Sequence, residues 1–507
     1  MNCSPSRIPE PAGKMPEELL ARLSPQITDR MGLYFPPARW QTLENAFCLV
    51  AMDLGFQDPV ACANWFISTP ISRELVESLA VYLTVGETYF LREDRSFEIF
   101  TDEIIPEIIR KRGGGEQRLR IWSAGCATGE ESYSIAILLA RMRHFLHDWP
   151  ISILATDINP RALRKAKEGV YTEWSFRTTP PWLKERYFEK CGHNRWALIP
   201  AIKKMVDFSY LNLAEDPYPS LPVHTNAMDV IFCRNVLMYF TPDLARKVVE
   251  RFHRSLVDGG WLIVSPCESS QVLYPQFKAV KFPGAVFYQK QSPGTDPQGA
   301  SAHEAQAWSA TRSVEPLPVK ERSPLLKSVP ALRTPVPQGQ TDFEAARSLY
   351  EKGLYLQAEQ KLAPLLPPSR QNIRETVLMC HIHANQGKLA EARQLLEQAI
   401  LADKLNPGLH NLRAMILQEQ GDDHEAAVAL KRALYLDQDL VLAHFSLANI
   451  GLRQGKHRES RRHFAQVLAL LDRYRPDEVI PESDGMQAWR LREIIKATTA
   501  GIGQGDE

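Results

Sequence analysis

The chain predicts an α/β doubly wound sheet set between an N-terminal helical module and a C-terminal all-α repeat solenoid. Three observations carry that prediction: strand-like apolar runs alternating with amphipathic stretches from about residue 119 to 290, helical apolar spacing before them, and a 34-residue period after them. A chain of 507 residues is too long for one core, and a typical domain of about 150 residues implies three or so.

In residues 1–86 the runs MPEELLARLSPQI, RWQTLENAFCLVAMDLG and SRELVESLAVYLTVG repeat apolar residues at spacings of three and four, the signature of amphipathic helices. Residues 87–290 then alternate. RLRIWSA, ISILATD, AMDVIFC, WLIVS and AVFYQK read as strands, and ESYSIAILLARMRHFL, NPRALRKAKEGV and DLARKVVERFHRSLV as helices. A turn at Asp258, Gly259 and Gly260 is expected to precede WLIVS.

Residues 291–340 hold eight prolines and a single aromatic, Trp308, which is the composition of a linker. A chain of that length spans roughly 40 Å, so the flanking domains are expected to move independently. Beyond it Gly353, Gly387, Gly421 and Gly455 stand 34 residues apart. Five positions after each glycine come Ala358, Ala392, Ala426 and Ser460; seven before it come Ala346, Cys380, Ala414 and Ala448. Nine positions after it the residue is bulky: Leu362, Leu396, Leu430 and Phe464. Small residues recur where paired helices must touch, and the period is that of tetratricopeptide repeats. Four repeats over 341–474 predict an antiparallel helix-pair solenoid, closed by a capping helix and tail over 475–507. Such repeats imply a protein partner.

Lys plus Arg equals Asp plus Glu at 60 each, so no global field favours nucleic acid or an anionic membrane. Eight scattered cysteines without a CxxC pair read as reduced thiols, with no metal site. The N-terminus lacks an apolar signal core and no run approaches a membrane span, so a cytoplasmic protein without membrane insertion is expected.

The stretch RIWSAGCATGEESYSI, residues 120–135, runs from an apolar strand through a glycine turn into a helix, the layout of a nucleotide site. It lacks the GKS or GKT ending of a triphosphate loop, and GCATG is not GxGxxG. Glu130 and Glu131 would repel a phosphate, so a ligand with a positive end such as S-adenosylmethionine fits better. Asp157 closes the strand ISILATD 32 residues after Gly125, where a carboxylate can bond ribose hydroxyls; by itself it also fits a helix cap before Asn159 and Pro160. Asn235 closes the apolar strand of IFCRNVLMYF. A third cluster, GETYFLRED at residues 86–94, sets Arg92 beside Tyr89 and Phe90 at the junction of two domains.

Together these clusters resemble the CheR family of glutamate O-methyltransferases that modify chemotaxis receptors, over roughly residues 17–290. TYFLRE is similar to the family's TxFFRE, SAGCATGEESYSIA to SAxxxTGEEPYSIA, and CRNVLMYF to CRNVxIYF; ATDIN and DFSYLNL also match. The resemblance implies S-adenosyl-L-methionine as cofactor, contacted by Thr88, Arg92, Glu131, Asp157, Asn212, Leu213, Asn235 and Val236. It implies Glu131 at the methionine amino group, Asp157 at the ribose, and Arg92 with Tyr239 at the reacting centre. The implied partner is a chemoreceptor's cytoplasmic helices, and the implied product is a glutamate methyl ester. A glutamate is ionised at pH 7, with a reference pKa of about 4.3, so its methylation needs position and a partner charge rather than a general base.

The chain departs from the family at several points. Gln41 to Leu54 is largely apolar or neutral where members carry arginines, and SPCES at 265–269 replaces GHSE. The inserted β-subdomain over 170–206 has a short loop, EKCGHNRWA, where other members hold a receptor tail peptide. The repeats and SPCE resemble the Wsp-type methyltransferase of surface-sensing pathways, which implies a chemosensory output in biofilm formation. Two other readings stay open: a non-catalytic adaptor with a vestigial cofactor fold, and a methyltransferase for RNA or a small molecule.

Overall fold

The computed structural model describes residues 15–69, 73–112, 117–146, 149–215, 217–270, 272–291, 338–366, 372–483 and 485–499. Most of the expected linker, 292–337, lies outside the described residues.

Four helices, Glu17–Met31, Trp40–Asp53, Pro59–Ser68 and Arg73–Leu83, build the N-terminal module around their own core of Leu23, Ile27, Leu43, Phe47 and Leu79. The third of them escaped the sequence reading because its apolar residues run almost without a polar face. Asp58 caps it by accepting from the backbone N–H groups of Val60 and Ala61.

Seven strands form the central sheet: β1 (Leu119–Ala124), β2 (Ile151–Asp157), β6 (Val206–Tyr210), β7 (Met228–Phe232), β8 (Leu256–Ile263), β9 (Phe277–Phe282) and β10 (Ala285–Lys290), in the order β6-β2-β1-β7-β8-β10-β9. The first five run parallel, while β10 is antiparallel to both β8 and β9. Strand β1 is buried along its whole length, as a central strand covered on both faces must be. The remaining strands, β3 (Val170–Tyr171), β4 (Phe188–Gly192) and β5 (Arg195–Leu198), make a separate antiparallel sheet ordered β3-β5-β4. The sequence placed Asp258, Gly259 and Gly260 in a turn; instead they lie inside β8, which starts at Leu256 directly after the helix Pro242–Ser255. The β7–β8 register shifts between Met228 and Val230, so the glycines make an irregularity within the ladder.

The chain moves outward from β1 through β2 to β6 and then returns to β7, so the topology reverses between β1 and β7. In open parallel sheets that reversal splays apart the loops leaving two neighbouring strands and leaves a crevice at their C-terminal ends.

The repeats are four helix pairs: Gln338–Glu351 with Tyr355–Leu362, Ile373–Gln386 with Leu389–Ala402, Pro407–Glu419 with Asp423–Leu436, and Val441–Arg453 with His457–Leu471. A further helix, Ala488–Thr499, follows. Every residue of the recurring small columns is fully buried, and in the fourth pair the Ser460 hydroxyl bonds the Ala448 carbonyl at 2.8 Å. The four repeat glycines take φ between 73° and 83°, the left-handed turn that closes each first helix.

The repeats do not stand apart from the sheet domain but pack against it. They pack under the N-terminal ends of the strands. Arg120 of β1 pairs with Glu419 and donates to the His224 carbonyl, and His224 Nδ1 lies 2.6 Å from Glu419 Oε1. Asp229 of β7 pairs with Arg112 and accepts from the Arg120 backbone at 2.8 Å. Burial and the neighbouring Arg118 push Arg120 down to about 9. A Cβ at Gly353 would stand 2.3 Å from the Arg254 side chain, so the repeat turn itself touches the sheet domain.

Candidate active site

At the crevice between β1 and β7 lies a cavity of about 540 Å³, a size that suits a small-molecule ligand. Thr88, Arg92, Glu131, Asp157, Asn212, Leu213, Asn235, Val236 and Tyr239 all line it, and the N-terminal module closes it with Met31, Leu33 and Phe35. Hydrogen bonds hold that module down, among them Tyr34 N–H to the Tyr239 carbonyl at 2.8 Å, Asn212 Nδ2 to the Arg30 carbonyl at 2.8 Å, and Asn159 Nδ2 to Thr84 Oγ1 at 2.9 Å.

The glycine turn is set by sterics. Gly125 sits at φ 84°, and a Cβ there would lie 2.4 Å from Val236 Cγ2. The loops after β1 and β7 therefore approach each other more closely than any side chain on the first would permit. Asp157 at the tip of β2 accepts from the Ala127 and Asn159 backbone N–H groups, each at 2.8 Å. Burial raises its carboxyl above the usual range, while those N–H groups pull it back. The helix cap that the sequence left open for Asp157 is provided by Asn159, whose Oδ1 accepts from Arg161 and Ala162.

The acidic pair divides. Glu130 turns away into the core, taking hydrogen bonds from Thr128 at 2.5 Å and Ser175 at 3.0 Å, and only Glu131 faces the cavity. Glu131 accepts from Ser123 Oγ at 2.8 Å and pairs with Arg234 at 3.2 Å. Arg234 also pairs with Glu93 at 2.9 Å and donates to the Arg92 carbonyl, tying the 88–93 segment to the sheet. Burial raises Glu131, and Arg234 opposes that shift. Sequence reasoning passed over Arg234, although it sits beside Asn235 in CRNV; nothing in the sequence marks it as the cation between two carboxylates.

The SPCES departure acquires a structural account. Glu268 is buried and accepts from the backbone N–H groups of Asn235 at 2.6 Å, Val236 at 2.8 Å and Met238 at 3.2 Å. It thereby holds Asn235 at φ 58°, an uncommon backbone for a residue other than glycine, while Ser265 Oγ accepts from Asn235 Nδ2 at 3.0 Å. Across the cavity, Arg92 Nη1 bonds the Glu87 carbonyl at 3.1 Å, and its guanidinium lies 5.9 Å from the Tyr89 ring centre. The Tyr239 hydroxyl makes no hydrogen bond among the described residues, whereas its ring carries Arg39 at 5.3 Å. Arg177, also unmarked by the sequence, enters the cavity wall against Tyr89 at 3.9 Å.

The cavity thus combines carboxylates at Glu131 and Asp157, cations at Arg39, Arg92, Arg177 and Arg234, and apolar walls at Leu211, Leu213 and Val236. That donor set fits a ligand with an amino-acid end, ribose hydroxyls and a flat base. No cluster of metal-ligating side chains occurs among the described residues.

Comparison with known proteins accords with this geometry. Residues 86–285 match the family model described as CheR methyltransferase, SAM binding domain, and residues 407–440 match that of the tetratricopeptide repeat. A chemotaxis protein methyltransferase of Borreliella burgdorferi is 30% identical over 49% of this chain and 87% of its own length. Chemotaxis protein methyltransferase 1 of Pseudomonas aeruginosa is 35% identical over 42% and 77%. Chemotaxis protein methyltransferase 2 of Vibrio cholerae is 34% identical over 44% and 76%. The cofactor is S-adenosyl-L-methionine, and the chain belongs to the CheR methyltransferase family.

Proposed function

We propose that the protein esterifies glutamate side chains of a chemoreceptor-like protein in the cytoplasm. The observation that carries this reading is the pairing, at one cavity, of a guanidinium with an unengaged phenol: Arg92 and Tyr239. S-adenosyl-L-methionine, when bound, supplies an electrophilic methyl group on a sulfonium. A glutamate carboxylate is already the nucleophile at pH 7, so the protein has only to orient it and offset its desolvation. Arg92 provides the charge, and the Tyr239 hydroxyl donates to a carboxylate oxygen. Asp157 binds the ribose, and Glu131 receives the amino group of the methionine end while Arg234 holds it in place. Thr88, Asn212, Leu213, Asn235 and Val236 form the remaining walls around the cofactor. The N-terminal module that closes over the cavity argues against a small free substrate.

We assign the repeats to a further protein partner, and the receptor to a chemosensory pathway of the Wsp type that controls biofilm formation. The same reading divides the chain at about 86, 290, 340 and 474.

The test is incubation with methyl-labelled cofactor and cytoplasmic receptor fragments, followed by base. Volatile labelled methanol is the expected result; base-stable label would exclude a carboxyl ester. Arg92→Ala should lower turnover at least 100-fold while cofactor affinity, measured by calorimetry, changes less than about 5-fold. Equal loss in both would move Arg92 from the reacting centre to cofactor binding.

A further inference from the structure

Strand β6 stands first in the order of the central sheet, so β2 covers one of its edges and the other is left to whatever packs beside it. The helix Ala488–Thr499 supplies part of that cover. Leu491 and Ile495 seat it on the fourth repeat, in one cluster with Phe445, Phe464 and Leu471. Arg490, one position before Leu491, reaches β6 instead. Its Nη2 donates to the Tyr210 carbonyl at 3.3 Å, and its guanidinium lies 4.7 Å from the centre of the Tyr210 ring, although 280 residues separate the two along the chain. Arg490 is 4% exposed. A buried guanidinium costs desolvation, and here a carbonyl and an aromatic face offset it. One rigid side chain holds both the main chain and the ring of Tyr210.

Tyr210 is the last residue of β6, and the next three, Leu211, Asn212 and Leu213, line the cofactor cavity. Hydrogen bonds to the main chain set where they stand. Leu211 N–H bonds the Asp157 carbonyl at 3.2 Å, and Arg251 of the helix Pro242–Ser255 donates to the carbonyls of Leu213 and Ala214 at 3.2 and 3.3 Å. The wall is thus gripped at both ends by guanidiniums on backbone carbonyls. Three parts of the chain meet there: the N-terminal module through the Arg30 carbonyl that Asn212 bonds, the sheet domain through Arg251, and the C-terminal helix through Arg490. A shift of that last helix pulls on the strand end that carries the wall.

We propose that Arg490 is a positioning residue for S-adenosyl-L-methionine: by holding Tyr210 it sets Leu211, Asn212 and Leu213 against the cofactor, and makes cofactor affinity depend on how the C-terminal helix is seated. Arg490 is not among the residues that line the cavity, so its effect passes through Tyr210. The proposal rests on the reading of Asn212 and Leu213 as part of the cofactor's wall. It is independent of which carboxylates the enzyme methylates.

The experiment measures cofactor affinity by calorimetry in the full chain, with no methyl acceptor present. Arg490→Met keeps the length of the side chain and removes its charge and donors, and roughly 10-fold weaker binding is expected. Arg490→Lys keeps a cation over the ring and a donor for the carbonyl, and should recover to within about 3-fold of the parent. Arg492→Met, on the same helix, breaks the surface pair with Asp472 at 2.6 Å and should bind as the parent does. If Arg490→Met does not fold, Arg490→Gln, which keeps a donor without the charge, decides the matter with an expected loss of about 5-fold. Leu213→Ala reports on the wall itself and should also weaken binding. A loss in Leu213→Ala without one in the folded methionine or glutamine variant would strike the role of Arg490 and keep the wall, whereas parental affinity in all of them would strike both. No recovery with lysine, or an equal loss in Arg492→Met, would likewise overturn the proposal and leave Arg490 as a packing contact of the C-terminal helix.

Discussion

The two ends of the central sheet use the same chemistry to opposite effect. At the C-terminal ends Arg234 stands between Glu131 and Glu93 beside a cavity; at the N-terminal ends Arg120 and Arg112 pair with Glu419 and Asp229 beneath packed repeats. Both arrangements bury guanidinium–carboxylate pairs, which costs desolvation that must be recovered by mutual attraction and hydrogen bonds. Beside the first lies the cavity of about 540 Å³. The difference lies in what faces the strand ends: diverging loops at a topological reversal on one side, and the repeat turns on the other. A buried ion pair is therefore not by itself a mark of a site, and what distinguishes the functional end is the room left next to it.

The sharpest way to break this comparison is to remove the central cation at each end. Arg234→Ala leaves Glu131 and Glu93 without their shared partner, and should cost about 3 kcal/mol in denaturant unfolding and abolish detectable cofactor binding. Arg120→Ala leaves Glu419 buried with only His224, and should cost about 3–5 kcal/mol while cofactor affinity stays within about 3-fold. If both variants lost cofactor equally, the ends would not be functionally separate.

Next in size is the close approach at the cavity floor. Gly125→Ala drives a Cβ into Val236 and should weaken cofactor binding about 30-fold, roughly 2 kcal/mol. Adding Val236→Ala should recover part of that loss but not all, because φ of 84° at residue 125 remains unfavourable for alanine. Full recovery would show that sterics alone demand the glycine.

Glu268→Gln keeps the shape of the support under Asn235 but replaces a charged acceptor of four backbone N–H groups, those of Asn235, Val236, Met238 and Ser265, with an amide. A loss of about 1–2 kcal/mol in cofactor binding is expected, with little change in global stability. An unchanged affinity would mean that the turn holds its shape without that carboxylate.

The smallest effect concerns pH at the sealed end. Burial, and then Lys290, hold His253 down to about 3, far below its ordinary 6.5. The unfolded chain takes up a proton there on acidification and the folded chain does not, so stability falls as pH drops from about 6.5 toward 3 and is flat above that window. Melting temperatures at pH 7.5 and 5.5 should differ in that direction, and His253→Gln should shrink the difference. No change in the pH slope would place the titration elsewhere.

Much of the catalytic end was legible because its residues sit in short runs whose types already restrict the ligand. Asp157 ends a strand, Glu131 sits in the first turn of a helix, and Gly125 and Asn235 lie in the loops just after β1 and β7, where Asn235 stands three residues beyond the strand it was expected to close; such positions gather at one edge of any doubly wound sheet. Arg234, Glu93 and Glu268 were not legible. Their roles come from distances across the fold, between residues 93 and 234 and between 235 and 268, which no local pattern encodes.

The sequence alone determined the alternation of strands and helices in the sheet domain, the repeat period and part of the cavity's lining, because periodicity and strand-end chemistry are local properties of the chain. Tertiary structure decided the rest. It turned Glu130 inward and Glu131 outward, threaded Asp258 to Gly260 through a strand, and seated the repeats on the sheet despite a long connecting segment. Those outcomes depend on which surfaces compete for burial once the whole chain is compact, and a linker's length limits the reach of a domain without deciding where it packs.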